Sequence, residues 1–275
     1  MRQVAHYLRV FAACALLLAA PRPAWAREGI ATLYFFAGWG STKAQADAWE
    51  IAVRARIPSA DLDIRAIPYP AGASDNGTLV ARQIDKDLEA IATTIAQHPE
   101  HKTVVACHSS GCGIANVLVE KVLGKDIAPA RLRLVNLDGG FQGGCLPTKR
   151  IFETVATECW SARDPKGKTT ALNYKDAEKH CPAPTQRVLE AEGCKSGMCL
   201  HFKLINAALG EGTAKRDFIR TGYDKLDPNL EWLQESALWL GLTITPKAEP
   251  EPAPPSPPAP APQPAQRPAK KAMPN

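Results

Sequence analysis

Ser109 stands in the stretch TVVACHSSGCGIANVLVE, residues 103–120. An apolar run, 103–106, gives way there to Cys107-His108-Ser109-Ser110-Gly111, and then to apolar residues at helical spacing, Ile114, Val117 and Leu118. The pattern reads as a buried strand, a very tight turn and a helix, with a serine at the apex of the turn. A serine so placed can be a nucleophile. The turn holds its hydroxyl out of the sheet, and the helix N-terminus behind it offers unpaired N–H groups to a developing oxyanion. A hydroxyl is a poor nucleophile near neutral pH, so it also needs an imidazole to take its proton and a carboxylate to orient that imidazole. Two histidines follow Ser109 in the chain, His180 and His201.

The five residues spell C-x-S-x-G where the usual form of this turn is G-x-S-x-G. Small residues flank the serine because strand and helix backbones pass close together, and Cys107 is compact enough to be tolerated. With the strand before it and the helix after it, the stretch resembles the nucleophile elbow of the α/β-hydrolase superfamily, whose members often carry a histidine just before the serine. The resemblance implies the chain order serine, acid, histidine. His201, after the last predicted strand, would then be the base, whereas His180 precedes that strand. The acid would be Asp138, in the tight exit of the fourth strand, with Asp164 as the alternative. Asp164 lies just past the fifth strand, the usual superfamily position, but in a charged stretch, RDPKGK, that reads as solvated. Glu190 and Glu192 are outside choices. A second glycine-rich turn, Ala37-Gly38-Trp39-Gly40-Ser41, follows the apolar run TLYFF, where the superfamily often has H-G. By the same resemblance, the backbone N–H near Trp39 and that of Ser110 would form the oxyanion hole.

These residues need a scaffold to position them. Strands are expected at 32–36, 61–68, 103–106, 130–137, 153–162 and 186–191, and helices at 44–55, 79–97, 202–209 and 230–242. Alternation of the two predicts an α/β fold, a mostly parallel sheet of about six strands with helices on both faces. The α/β-hydrolase resemblance then spans the whole domain, without the first two antiparallel strands, as in compact cutinase-like members, and places the serine after the third strand.

The chain outside this domain reads differently. Arg2 and Arg9, the apolar run 10–20 and Ala24-Trp25-Ala26 describe a secretory signal peptide, residues 1–26. The run is short for a membrane span. Residues 245–275 are dominated by Pro and Ala and predict an extended, solvated tail. The domain is therefore 27–244. The net charge of +5 belongs to the two ends, since acidic and basic residues balance between them, and it says nothing of nucleic acid. Of eight cysteines, Cys14 falls in the leader. Seven remain for an oxidising compartment, so disulfides are expected with at least one free thiol, for which Cys107 is the candidate.

The reading that follows is an exported, periplasmic or secreted serine hydrolase of the carboxylesterase, lipase or thioesterase type. It would cleave a small-molecule or lipid ester, or a thioester, through an acyl-enzyme, with no cofactor and no metal. Trp39, Tyr69 and Trp160 either line an acyl pocket or belong to the core. The alternative is a catalytically inactive hydrolase-like binding module, tethered to cell-envelope material by its tail. The non-standard Cys107 and the missing H-G motivate it. A third reading makes Cys181, Cys194, Cys199 and His201 a zinc site.

Overall fold

The computed structural model describes residues 31–139, 145–164, 181–194, 196–206 and 231–244. The expected leader 1–26, the expected tail 245–275 and the end of the helix expected to reach residue 209 lie outside them. Among the described residues, six strands form one sheet: β1 (Ala31–Phe36), β2 (Leu62–Ile67), β3 (Lys102–His108), β4 (Leu132–Leu137), β5 (Ala156–Arg163) and β6 (Gln186–Glu190). Their order is β2-β1-β3-β4-β5-β6, and every pairing is parallel. The expected α/β architecture is thus present.

Parallel strands buried on both faces must be apolar on both faces, and β1 and β3 are. Leu33, Phe35, Val104 and Ala106 point to one side, with Val135 and Leu137 of β4 beside them. Tyr34, Phe36, Val105 and Cys107 point to the other, with Leu132 and Leu134. Helices α1 (Lys43–Arg56), α6 (Gly197–Lys203) and α7 (Glu231–Leu240) supply residues to the first layer. Phe35, Trp49 and Trp232 stack there, with ring centroids 4.3 to 6.2 Å apart. The second face is covered by α2 (Gly77–Gln83), α3 (Asp85–Ala96), α4 (Gly111–Leu123) and α5 (Lys149–Thr154).

Two boundaries differ from expectation for physical reasons. The single helix expected at 79–97 is two, broken at Ile84 (φ −104°, ψ 25°). Apolar spacing reports which face is buried and is blind to a bend between two segments with the same face inward. Asp85 and Asp87 open α3, where the positive end of a helix dipole favours them. Lys121 of α4 then holds Asp85 and Glu89 at 2.9 and 3.1 Å. Helix α5 takes the first residues expected for the fifth strand; Thr148 caps it by accepting the Ile151 N–H at 3.3 Å.

Candidate active site

Strands β3 and β4 end level with each other, His108 opposite Leu137. The next residue of each is left-handed: Ser109 has φ 54° and Asp138 φ 51°. Neither is glycine, and such a conformation costs a non-glycine residue about 1–2 kcal/mol. Both are held by the ladder continuing one step past the strands. The Ser109 N–H donates to Leu137 O at 3.1 Å, and the Asp138 N–H to Trp160 O at 2.8 Å. Serine and aspartate therefore stand on neighbouring strand ends at the C-terminal edge of the sheet.

The elbow is possible because glycines let the surrounding backbones close in. A Cβ on Gly111 would lie 2.5 Å from the carbonyl oxygens of both Phe36 and Ala37, so the exit of β1 passes directly against the start of α4. A Cβ on Gly77 would lie 1.8 Å from the Ser110 carbonyl oxygen, so the start of α2 packs against the elbow from the other side. After the turn, the N–H groups of Cys112 and Gly113 go to the carbonyls of Ser109 and Ser110. Ser109 itself is half-buried, and Ser110 is buried.

His201 comes from α6, which begins at Gly197 and so before the helix expected at 202–209. Ser196 caps that helix, accepting the Cys199 N–H at 3.2 Å, and a Cys194–Cys199 disulfide ties the approach to it. The imidazole is buried, and its Nδ1 lies 2.6 Å from Asp138 Oδ2. A carboxylate accepts in such a contact, so in the neutral ring Nδ1 carries the hydrogen and the lone pair is on Nε2. That is the tautomer a general base requires. The carboxylate at His201 is that of Asp138. Glu190 instead meets Arg163 at 2.6 Å on the exposed side of the sheet's edge strand.

A second imidazole lies beneath the first. The His108 ring centroid is 4.3 Å from that of His201, and its Nε2–H donates to the His201 main-chain carbonyl at 3.0 Å. Burial pushes the His108 pKa well below the ordinary histidine range, with the nearby His201 acting in the same direction, so this ring is neutral. Asn136 was not singled out in the sequence, although a polar residue in the otherwise apolar end of β4 was a visible signal. Its Oδ1 accepts the Gly139 N–H and its Nδ2 donates to Cys145 O, both at 2.8 Å, which holds those two residues to the end of β4.

Three expectations need correction or refinement. Cys107 is not free: it is bonded to Cys112, and the six-residue segment so closed contains Ser109. Among the described residues, the cysteine outside the three disulfides is Cys145, which is buried with its Sγ 3.9 Å from Ser110 O. The strand-end position argued for burial of Cys107, but a partner one helical turn beyond the elbow was not weighed. The zinc reading fails as well. Cys181 pairs with Cys159, Cys194 with Cys199, and His201 with Asp138, so the thiolates such a site needs are consumed. Of the aromatic residues considered for a pocket, Tyr69 and Trp160 are buried, while Trp39 is 46 % exposed and donates its indole N–H to Ala73 O at 3.2 Å. Among the described residues, no helix is long and apolar enough to cross a membrane.

No protein-family model and no curated protein matches the chain. Among solved structures, it is similar to a cutinase-like protein from Cryptococcus sp., at 12% identity and a TM-score of 0.40, over 77% of this chain and 95% of that one. It is also similar to a protein from Pectobacterium atrosepticum described as a YdeN-like hydrolase, at 14% identity and a TM-score of 0.35, over 70% and 89% of the two chains. At these values the likeness concerns the general arrangement of strands and helices, and no residue is carried over from either protein. The chain's own sheet order, with a strand–serine–helix elbow after its third strand, is α/β-hydrolase-like.

Proposed function

We propose that the chain is an exported serine hydrolase that cleaves a carboxylic ester or thioester through an acyl-enzyme. One observation carries the reading: a buried His201–Asp138 pair at 2.6 Å, with Asp138 on the strand end next to a left-handed Ser109. His201 Nε2 takes the Ser109 hydroxyl proton as Oγ attacks the carbonyl carbon. The Asp138 carboxylate holds the ring's orientation and stabilises the imidazolium that forms. The carbonyl π-electron pair moves onto oxygen, where the N–H of Ser110 and that near Trp39 would receive it. Two facts support the donors. Ser110 precedes the first turn of α4, and the chain leaving β1 presses on that turn at Gly111. The imidazolium returns its proton to the leaving alcohol or thiol. Water, activated by the same nitrogen, then releases the acid and restores Ser109.

Export is proposed from the leader 1–26 together with the three disulfides. The tail 245–275 would act as a spacer beyond the domain or a tether to envelope material. The test is labelling of the mature protein with a fluorophosphonate probe and mass mapping of the modified peptide. Label on Ser109, absent in His201→Ala, is expected. A folded protein that takes no label, and whose turnover of a short p-nitrophenyl ester survives Ser109→Ala, would refute the assignment. Absence of both label and turnover would favour a hydrolase-like binding module instead.

A further inference from the structure

The turn between α3 and β3 reads His98-Pro99-Glu100-His101 and is closed by the His101 N–H donating to His98 O at 3.0 Å. In the sequence it serves only to stop a helix. In space it gathers three donor groups. Glu100 Oε1 is 3.0 Å from His101 Nε2 and 3.7 Å from His98 Nδ1, and the three ligand atoms all lie within 4.8 Å of one another. Ligands bound tetrahedrally at about 2.0–2.2 Å stand roughly 3.4 Å apart, so the observed separations bracket what an ion would need.

The two imidazoles stack with centroids 4.8 Å apart and planes 9° from parallel, and a turn of one ring about its side-chain bonds brings both in-plane lone pairs onto one ion. Arg131 Nη1 donates to the Glu100 main-chain oxygen at 2.7 Å, which fixes the backbone that carries the carboxylate. His98 and Glu100 are more than half exposed, which leaves room for water in a fourth position.

We infer that His98, Glu100 and His101 form a surface site for a late first-row divalent cation such as Zn²⁺, Cu²⁺ or Ni²⁺. Two imidazoles with one carboxylate suit these ions, whereas Ca²⁺ and Mg²⁺ take oxygen donors. The site lies at the start of β3 and Ser109 just past its end. The seven residues of that strand separate them by about 20 Å, so the ion has no part in ester cleavage. Its place is to crosslink the end of α3 to the start of the central strand, or to hold the cation itself. The inference does not rest on the hydrolase reading.

The test is equilibrium dialysis of the mature chain against Zn²⁺, with electron paramagnetic resonance of the Cu²⁺ form. One ion per chain is expected, with nitrogen hyperfine coupling from two imidazoles. His98→Ala and Glu100→Gln should each weaken binding by at least about tenfold, since even indirect partners of a metal are worth that much. His98 is an exposed side chain, so His98→Ala carries little folding risk. Failure to bind at micromolar metal, or binding that His98→Ala leaves unchanged, would overturn the site. The second result would place the ion on other histidines of the chain.

Discussion

Asp138→Asn is the most informative single substitution. Asn is isosteric, so the buried site should still pack, and the change falls on one hydrogen bond. At 2.6 Å, with an effective dielectric constant of about 20, a carboxylate and an imidazolium attract by roughly 6 kcal/mol. That attraction exists only once His201 has taken the serine proton, so it acts on the transition state and not on bound substrate. An amide in the same place removes the charge. Its NH₂ can also donate to Nδ1, which moves the ring hydrogen to Nε2 and leaves no lone pair for Ser109. Loss of the equivalent acid in a serine-protease triad costs about 10⁴ in kcat, or about 5.5 kcal/mol, close to the figure from the distance. The assay is steady-state hydrolysis of a short p-nitrophenyl ester, with the unfolding midpoint measured in parallel. Expected are a kcat about 10⁴-fold lower, an unchanged KM and a thermal midpoint near that of the native chain. Asp164→Asn should change kcat by no more than a few-fold. An Asp138→Asn enzyme within tenfold of the parent, or an Asp164→Asn enzyme as impaired, would refute the argument.

Replacing Cys107 and Cys112 together by Ala should lower stability by about 2 kcal/mol on the chain-entropy estimate for so short a loop. Urea unfolding checks that figure, and a larger proportional loss of kcat than of stability would mark the bond as holding Ser109 in its left-handed conformation. Gly77→Ala drives a methyl group into the Ser110 carbonyl, which must move, so fluorophosphonate labelling should fall sharply with a stability loss of about 1–3 kcal/mol. His108 is buried and neutral in the folded chain but takes a proton when unfolded below about pH 6.5. Its share of stability is therefore complete above that pH and is lost as pH falls from there toward the depressed folded value. His108→Gln should flatten that part of a plot of unfolding midpoint against pH, and an unaltered slope would count against it. Trp232→Ala removes a buried ring beside Phe35 and Trp49 and leaves the Leu204 carbonyl without its indole donor, for an expected loss of about 3–5 kcal/mol by denaturant unfolding.

The parts of the molecule legible in its sequence are those governed by short-range pattern. TLYFF and TVVA could only be strands buried on both faces, and the serine at the end of the second is marked by small neighbours that a close strand–helix crossing demands. What sequence reading missed depends on distances through space. A Cys107–Cys112 bond needs the elbow to be tight enough to bring one helical turn back over the strand end, which no count of cysteines reveals. Which carboxylate meets His201 depends on where its ring arrives, and that depends on α6, which apolar spacing placed several residues too late. The start of α6 is set by the Ser196 cap and the Cys194–Cys199 bond, both inside a stretch, 193–199, that reads as a Cys- and Gly-rich loop in which either cysteine could form a stiffening disulfide. Asn136 was overlooked for a related reason, since its two hydrogen bonds reach loop backbone past the end of its own strand.

The site divides its positioning between two kinds of support. Ser109 and Asp138 are fixed by the sheet. Each follows the last residue of a strand, each is left-handed, and each donates its N–H to a carbonyl of the neighbouring strand. Their separation is thus set by the spacing between strands, about 4.8 Å, which no side-chain motion alters. His201 is fixed differently, by a short helix docked on that edge. It is gripped from one side by Asp138 and from below by His108, which holds its main-chain oxygen. A seven-residue helix has little stability of its own, so these contacts and the Cys194–Cys199 bond must supply it. His201 is then the component whose position is most easily lost. Mild reduction should loosen His201 before it disturbs the Ser109–Asp138 spacing. Hydrogen exchange after reduction would check the order: amides of 197–203 should lose protection while those of β3 and β4 keep theirs. Simultaneous loss in all three would mean that the sheet edge and the helix unfold as one unit, and that this division is wrong.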